Sequence, residues 1–268
     1  MAQASTSLES VLKRDRAIVL SGLVMVVALA WAYIGYQAWD LQRSMSLSSM
    51  QTGMSMAQFR PWSGLDLGLM YLMWAVMMVA MMVPTAAPMM LTFATINRKR
   101  LERRQPFVPT GVFLSGYLLV WGGFSLVATL AQWGLHQAAL ITSMMGTATP
   151  IVGGIILLAA GAYQWTPLKY VCLNQCRTPL GFIMTEWREG KKGALTMGLR
   201  HGGYCLACCW FLMGLLLVTG VMNLLWVALI AGYILAEKVV PTGGHWLSRV
   251  VGLVLVGWGA WMVMEALA

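Results

Sequence analysis

Residues 65–93 read LDLGLMYLMWAVMMVAMMVPTAAPMMLTF, and no charged side chain interrupts them after Asp66. A helix that crosses a bilayer needs roughly 20 predominantly apolar residues, so this stretch is long enough to span one. Six further apolar runs lie at about 17–38, 109–133, 149–164, 194–219, 221–237 and 247–265. The run at 149–164 is short, and only a turn near Gly220–Asn223 separates the two that meet there. Hydrophobic residues make up 59% of the 268, and Asp, Glu, Lys and Arg only 10%, where a soluble domain carries about 25%. With a mean hydropathy of +0.71, the chain is neither a soluble globular domain nor disordered, since disorder requires low hydrophobicity and high charge. The expected architecture is all-α, a polytopic transmembrane helix bundle of about seven spans. The first run follows Arg16 and lacks a small-residue cleavage site, so it reads as a retained span and not a signal peptide.

The net charge is +9. A basic balance can mark a nucleic-acid binder, but here the charges fall between the apolar runs. Sixteen of the 18 Lys and Arg lie in segments of one side, and only Arg43 and Arg60 lie on the other. The positive-inside rule then predicts a cytoplasmic N-terminus and an outward C-terminus. The expected surroundings are the lipid bilayer of a bacterial inner membrane, with no nucleic-acid partner. Residues 1–64 read as one span plus a Met- and Ser-rich outward loop (39–64), and residues 65–268 as a six-span core. No ionisable carboxylate, Lys or Arg is expected mid-span, and Asp66 and Glu237 read as interfacial anchors. Pro167 and Pro179 bound a short helix or turn. Pro84 and Pro88 are expected to disturb the second span. Gly153–Gly154 and Gly257-x-Gly259 suit close helix packing. Trp31, Trp39, Trp62, Trp165, Trp187 and Trp246 read as interfacial belt residues.

The chemistry concentrates in His201-Gly-Gly-Tyr-Cys205-Leu-Ala-Cys208-Cys209-Trp210. On a helix, His201, Cys205 and Cys208 fall within about a 60° arc, with Cys209 about 40° further. Cys205 can share an ion with Cys208 or Cys209. His201 lies roughly 10 Å from Cys208 along the axis, so it joins them only if Gly202–Gly203 unwinds; otherwise it serves a second site or a gate. A second cluster, Cys172-Leu-Asn-Gln-Cys176-Arg177, stacks two thiols at i, i+4. It is expected at the cytoplasmic face, where His201 could complete it. Four thiols plus an imidazole suit Cu(I), zinc or an iron–sulfur centre, and not Mg or Ca. A disulfide is disfavoured by the reducing cytoplasm.

Methionines form a third feature. Met70, Met73, Met77 and Met81 share about an 80° arc of the second span, with Met78 and Met82 beside them. Such a stripe commonly fills core gaps, yet thioethers also bind Cu(I). Met45, Met50, Met54 and Met56 of the loop would extend a ladder of soft ligands outward.

Three blocks together resemble a known family. They are Trp74-Ala-Val-Met77-Met78-Val-Ala-Met81-Met82-Val-Pro84; Gln164-Trp-Thr-Pro167-Leu-Lys169-Tyr-Val-Cys172-Leu-Asn-Gln-Cys176-Arg177-Thr-Pro179; and Gly198-Leu-Arg-His201-Gly202-Gly-Tyr-Cys205-Leu-Ala-Cys208-Cys209-Trp210. The resemblance is to a bacterial family of predicted metal-binding integral membrane proteins, classed as a domain of unknown function, and it covers roughly residues 65–265. It implies metal binding at Cys172, Cys176, His201, Cys205, Cys208 and Cys209, and it supplies no reaction.

The resulting expectation is a soft-metal protein, with copper favoured and zinc or iron as alternatives. Cys205, Cys208 and Cys209 are the intramembrane ligands, Cys172, Cys176 and His201 a site at the cytoplasmic face, and Met77, Met78, Met81 and Met82 an outer thioether station. Its role is metal transfer to a membrane or periplasmic metalloenzyme, or a metal-bearing subunit of a membrane oxidase. Two rivals stand beside it. A thiol–disulfide electron carrier would show reversible thiol trapping without stoichiometric metal. An assembly subunit would tolerate Cys-to-Ala changes. The sequence holds no nucleophile–His–acid set, paired buried carboxylates or phosphate loop.

Overall fold

The computed structural model describes residues 2–51, 62–102, 108–141, 148–240 and 244–268. Among the described residues ten helices follow one another: α1 (Ala2–Gln51), α2 (Gly64–Glu102), α3 (Thr110–Gln137), α4 (Pro150–Tyr163), α5 (Pro167–Arg177), α6 (Pro179–Glu186), α7 (Gly190–Gly214), α8 (Leu216–Thr219), α9 (Leu224–Val239) and α10 (Gly244–Leu267). Among the described residues there is no strand, only an isolated bridge between Ile141 and Ala148. Five of these helical stretches are long and apolar enough to cross a membrane: 19–40, 64–100, 110–137, 190–219 and 246–267. A sixth arises if α4 and α5, bent by 67° at their junction, count as one broken span.

The first helix runs through Gln51, into the segment read as the Met- and Ser-rich loop. It carries the backbone of Met45 and Met50; Met54 and Met56 lie outside the described residues. Pro167 and Pro179 do open short helices, each at the first turn, where a missing N–H costs nothing.

Pro84 and Pro88 do not break α2, which continues unbroken for 39 residues. A proline removes the hydrogen bond to the carbonyl four residues back, which for Pro84 is that of Ala80. The indole Nε1 of Trp31 on α1 donates to that oxygen at 3.2 Å. A neighbouring helix thus satisfies the group that proline frees, as an apolar environment requires. Trp31, read from the sequence as a belt residue, is thus a pin between α1 and α2. Trp31→Phe should keep the packing but orphan the Ala80 carbonyl, costing about 1–2 kcal/mol. A lower unfolding midpoint in detergent checks this; an unchanged midpoint would show that the carbonyl has another partner.

Two helix pairs approach closely through glycine. Between α3 and α7, a Cβ on Gly116 would stand 2.4 Å from the Leu195 carbonyl oxygen, and one on Gly198 2.1 Å from that of Phe113. Between α4 and α10, a Cβ on Gly154 would lie 3.0 Å from the Gly259 oxygen, and one on Gly161 2.8 Å from that of Gly252. Small residues at helix crossings let backbones touch. Of the glycines singled out above, Gly154 and Gly259 face each other, while Gly257 meets nothing within 4 Å.

The core lies where α2, α3, α5, α7 and α9 converge. On α7 the buried positions Ala194, Met197, Gly198, His201, Cys205, Cys208, Cys209 and Leu212 recur every three or four residues, the spacing of one helix face. On α2 the methionines from Met70 to Met90 are almost fully buried. Trp74 and Trp210 line an apolar cavity of about 270 Å³ bounded by α2, α3, α4 and α7.

Candidate metal centre

Each cysteine is placed by the step of its helix. On α7, Cys205, Cys208 and Cys209 share the buried face, exposed by 1% or less. On α5, Cys172 and Cys176 stack one turn apart, as i, i+4 spacing dictates, and both are buried. Because α5 packs along α7, the two clusters become neighbours. Cys176 interacts with the thiols of Cys205 and Cys208, and Cys209 with those of Cys205 and Cys208. Four thiols from two helices therefore share one chamber. Cys172, also buried, has Cys208 and Tyr163 as its electrostatic neighbours.

All five cysteines are free. Cys208 Sγ donates to the Cys205 carbonyl oxygen at 3.0 Å and Cys209 Sγ to the same oxygen at 2.9 Å. Both thiols thus turn back onto the preceding turn of their own helix, the local bonding that short polar side chains favour there. That orientation fits a further finding. Among the described residues, no three His, Cys, Asp or Glu side chains stand in a ready-made arrangement for a metal ion. Coordination requires the thiols to lose their protons and rotate away from the carbonyl, the usual coupling of metal binding to deprotonation.

The chamber is walled by groups that sequence reasoning missed. Tyr117 Oη lies 3.1 Å from Cys205 Sγ and 3.1 Å from the Met82 carbonyl oxygen, to which it donates. Lys238 Nζ donates to Cys205 Sγ and to Thr85 Oγ1, each at 2.9 Å. The hydroxyl of Thr85 donates in turn to the Met82 carbonyl at 2.8 Å. Tyr117 is fully buried and Lys238 nearly so. By charge pattern Lys238 read as a loop residue; its position in the core was visible only as a lysine that closes the apolar run of α9.

His201 takes a separate place. The α7 helix runs unbroken through Gly202–Gly203, so the imidazole is not swung toward Cys208. It sits one turn from Cys205, enclosed by the rings of Phe182 at 5.4 Å, Tyr117 at 5.7 Å and Phe113 at 6.1 Å. It is 2% exposed, and its Nδ1 has no hydrogen-bond partner. The buried Phe182 of α6 contributes to this enclosure.

Met77, Met78, Met81 and Met82 are each exposed by 1% or less. The backbone of Met82 frames the thiol chamber through the Tyr117 and Thr85 hydrogen bonds.

A second polar core adjoins the first. Glu237, expected at an interface, is 1% exposed and pairs with the fully buried Lys169 at 2.6 Å. Tyr233 donates to the same carboxylate oxygen at 2.7 Å, and Ser248 also donates to it. Lys169 further donates to Gln164, and Arg177 grips the Glu237 carbonyl through its Nε at 2.8 Å. Glu237 lies near the end of α9, as its place in the sequence implies, but helix packing removes it from solvent.

Compared with known proteins, residues 71–262 match the model of a family described as PpoB2, copper chaperone. No curated protein and no solved structure matches the chain.

Proposed function

The chain belongs to the PpoB2 copper chaperone family, and from that membership we propose that its thiol chamber carries Cu(I) as cargo for delivery to a metalloenzyme in or beside the same membrane. The observation that carries this reading is the meeting of Cys176 with Cys205 and Cys208, with Cys209 beside them, from two helices separated by α6. Soft sulfur donors suit Cu(I), and free thiols can exchange it. Cys172, an electrostatic neighbour of Cys208, adds a fifth thiol to the site, and His201 with its unpartnered Nδ1 is a station one turn along α7. The Met77, Met78, Met81 and Met82 stripe provides thioether contacts on the α2 side. In this reading the molecule is a multi-pass protein of a bacterial inner membrane, with its N-terminus cytoplasmic. A seven-span count uses α4 and α9, of 14 and 16 residues, as short spans shielded by their neighbours.

Metal content of the detergent-purified chain tests the proposal. About one copper per polypeptide is expected after loading under reducing conditions, the stoichiometry of a single soft-donor site. The combined Cys205→Ser, Cys208→Ser and Cys209→Ser variant is expected to lose it. A folded variant that keeps its copper would remove the site assignment. Absence of copper from the unaltered chain would remove the function.

A further inference from the structure

Lys238 brings a charge into the thiol chamber that cargo binding by cysteine does not by itself explain. Among the described residues its Nζ hydrogen-bonds Thr85 and Cys205, and its other electrostatic neighbours are Cys176, Cys208 and Tyr117. Among the described residues no carboxylate lies within ion-pair distance of it. The adjacent Glu237 turns instead to Lys169, Tyr233 and Ser248. A buried ammonium that faces hydroxyls and thiols alone is costly unless an opposite charge settles beside it. The anion this chamber can supply is thiolate.

We propose that Lys238 is the counter-charge of the cargo site and makes it selective for a monovalent soft ion; the inference rests on the reading of the thiols as the copper site. Loading is a ligand exchange with no electron transferred. The Cys205 and Cys176 S–H bonds break, two Cu–S bonds form, and two protons leave to solvent. The product, one Cu(I) with two thiolates, carries a single negative charge, which the ammonium cancels. A divalent ion on the same two thiolates would leave the chamber with a net positive charge, and uncompensated charge is strongly disfavoured where water is excluded. Sulfur donors alone do not make this choice, because thiolates bind zinc as well as copper. Lys238 is thus a positioning and specificity residue and not itself a ligand.

The full chain in detergent, offered equal Cu(I) and Zn(II) under reducing conditions, gives the test. In Lys238→Gln the two-thiolate site becomes neutral with zinc and anionic with copper, so the bound copper-to-zinc ratio is expected to fall about tenfold or more. Lys238→Arg should hold the ratio within about twofold, since it keeps the charge. A purely structural lysine would lower both metals together and leave the ratio unchanged; that result would overturn the proposal. Lys238→Met repeats the count with an apolar side chain of similar length. A competition on the unaltered, copper-loaded chain needs no variant at all. Silver(I) should displace the copper one for one, and zinc should displace little. Equal displacement by zinc would overturn the proposal. An unaltered chain that binds no copper strikes the proposed function itself, whereas copper binding with an unchanged ratio in Lys238→Gln strikes only the role of the lysine.

Discussion

Gly198→Ala is expected to leave little folded protein. The added methyl would lie 2.1 Å from the Phe113 carbonyl oxygen, 3.0 Å from its carbon and 3.2 Å from Gly116 Cα. All three obstacles are backbone, so no rotamer change relieves them and α3 must move off α7. Overpacking of a rigid site costs about 3 kcal/mol or more. The damage is also functional, because α3 carries Tyr117 and α7 carries Cys205, and their 3.1 Å contact closes the thiol chamber. Gly203→Ala is the matched control. It lies on the same helix five residues on, exposed, with nothing within 4 Å of the new methyl, and helix propensity favours alanine there by about 1 kcal/mol. Detergent-soluble yield and unfolding midpoint should separate the two variants widely. A Gly198→Ala protein as stable as Gly203→Ala would mean that the helices do not cross this closely.

The second large effect is expected at the Lys169–Glu237 pair. Both side chains are withdrawn from solvent, so Lys169→Met strands a carboxylate that only Tyr233 and Ser248 still serve. Removing one partner of a buried ion pair costs about 3–5 kcal/mol. The loss comes mostly from the charge left behind and not from the missing attraction. Adding Glu237→Gln to Lys169→Met should therefore recover more than half of the stability, while keeping an acceptor for the tyrosine and serine. The unfolding midpoints of the single and double variants decide it. A double variant no more stable than the single would place the loss in packing of the lysine stem.

Much of this architecture is legible along the sequence because apolar length and helical step are local quantities. The long apolar helices and the shared face of His201, Cys205, Cys208 and Cys209 follow from spacing alone. So does the stacking of Cys172 on Cys176. What spacing cannot give is which helices become neighbours. The meeting of Cys176 with Cys205 depends on α5 folding back along α7 after the 67° bend at the α4–α5 junction. The rescue of the Pro84 gap depends on a tryptophan 53 positions earlier in the chain. Charge pattern left the burial of Lys169, Glu237 and Lys238 unseen for a related reason. It ranks residues by distance from an apolar run, while burial depends on what packs over the run's end. The cue in the sequence was the adjacent Glu237-Lys238 at the close of α9, an acid and a base with no solvating polar neighbours before them.

That adjacency has a mechanical side. Consecutive helix residues point about 100° apart, so the last turn of α9 grips two different parts of the molecule at once. Lys238 reaches α2 and α7, while Glu237 holds Lys169 of α5 and Ser248 of α10. α9 thus works as a keystone, held in azimuth by two polar anchors on different faces. Turning it to free one would strain the other.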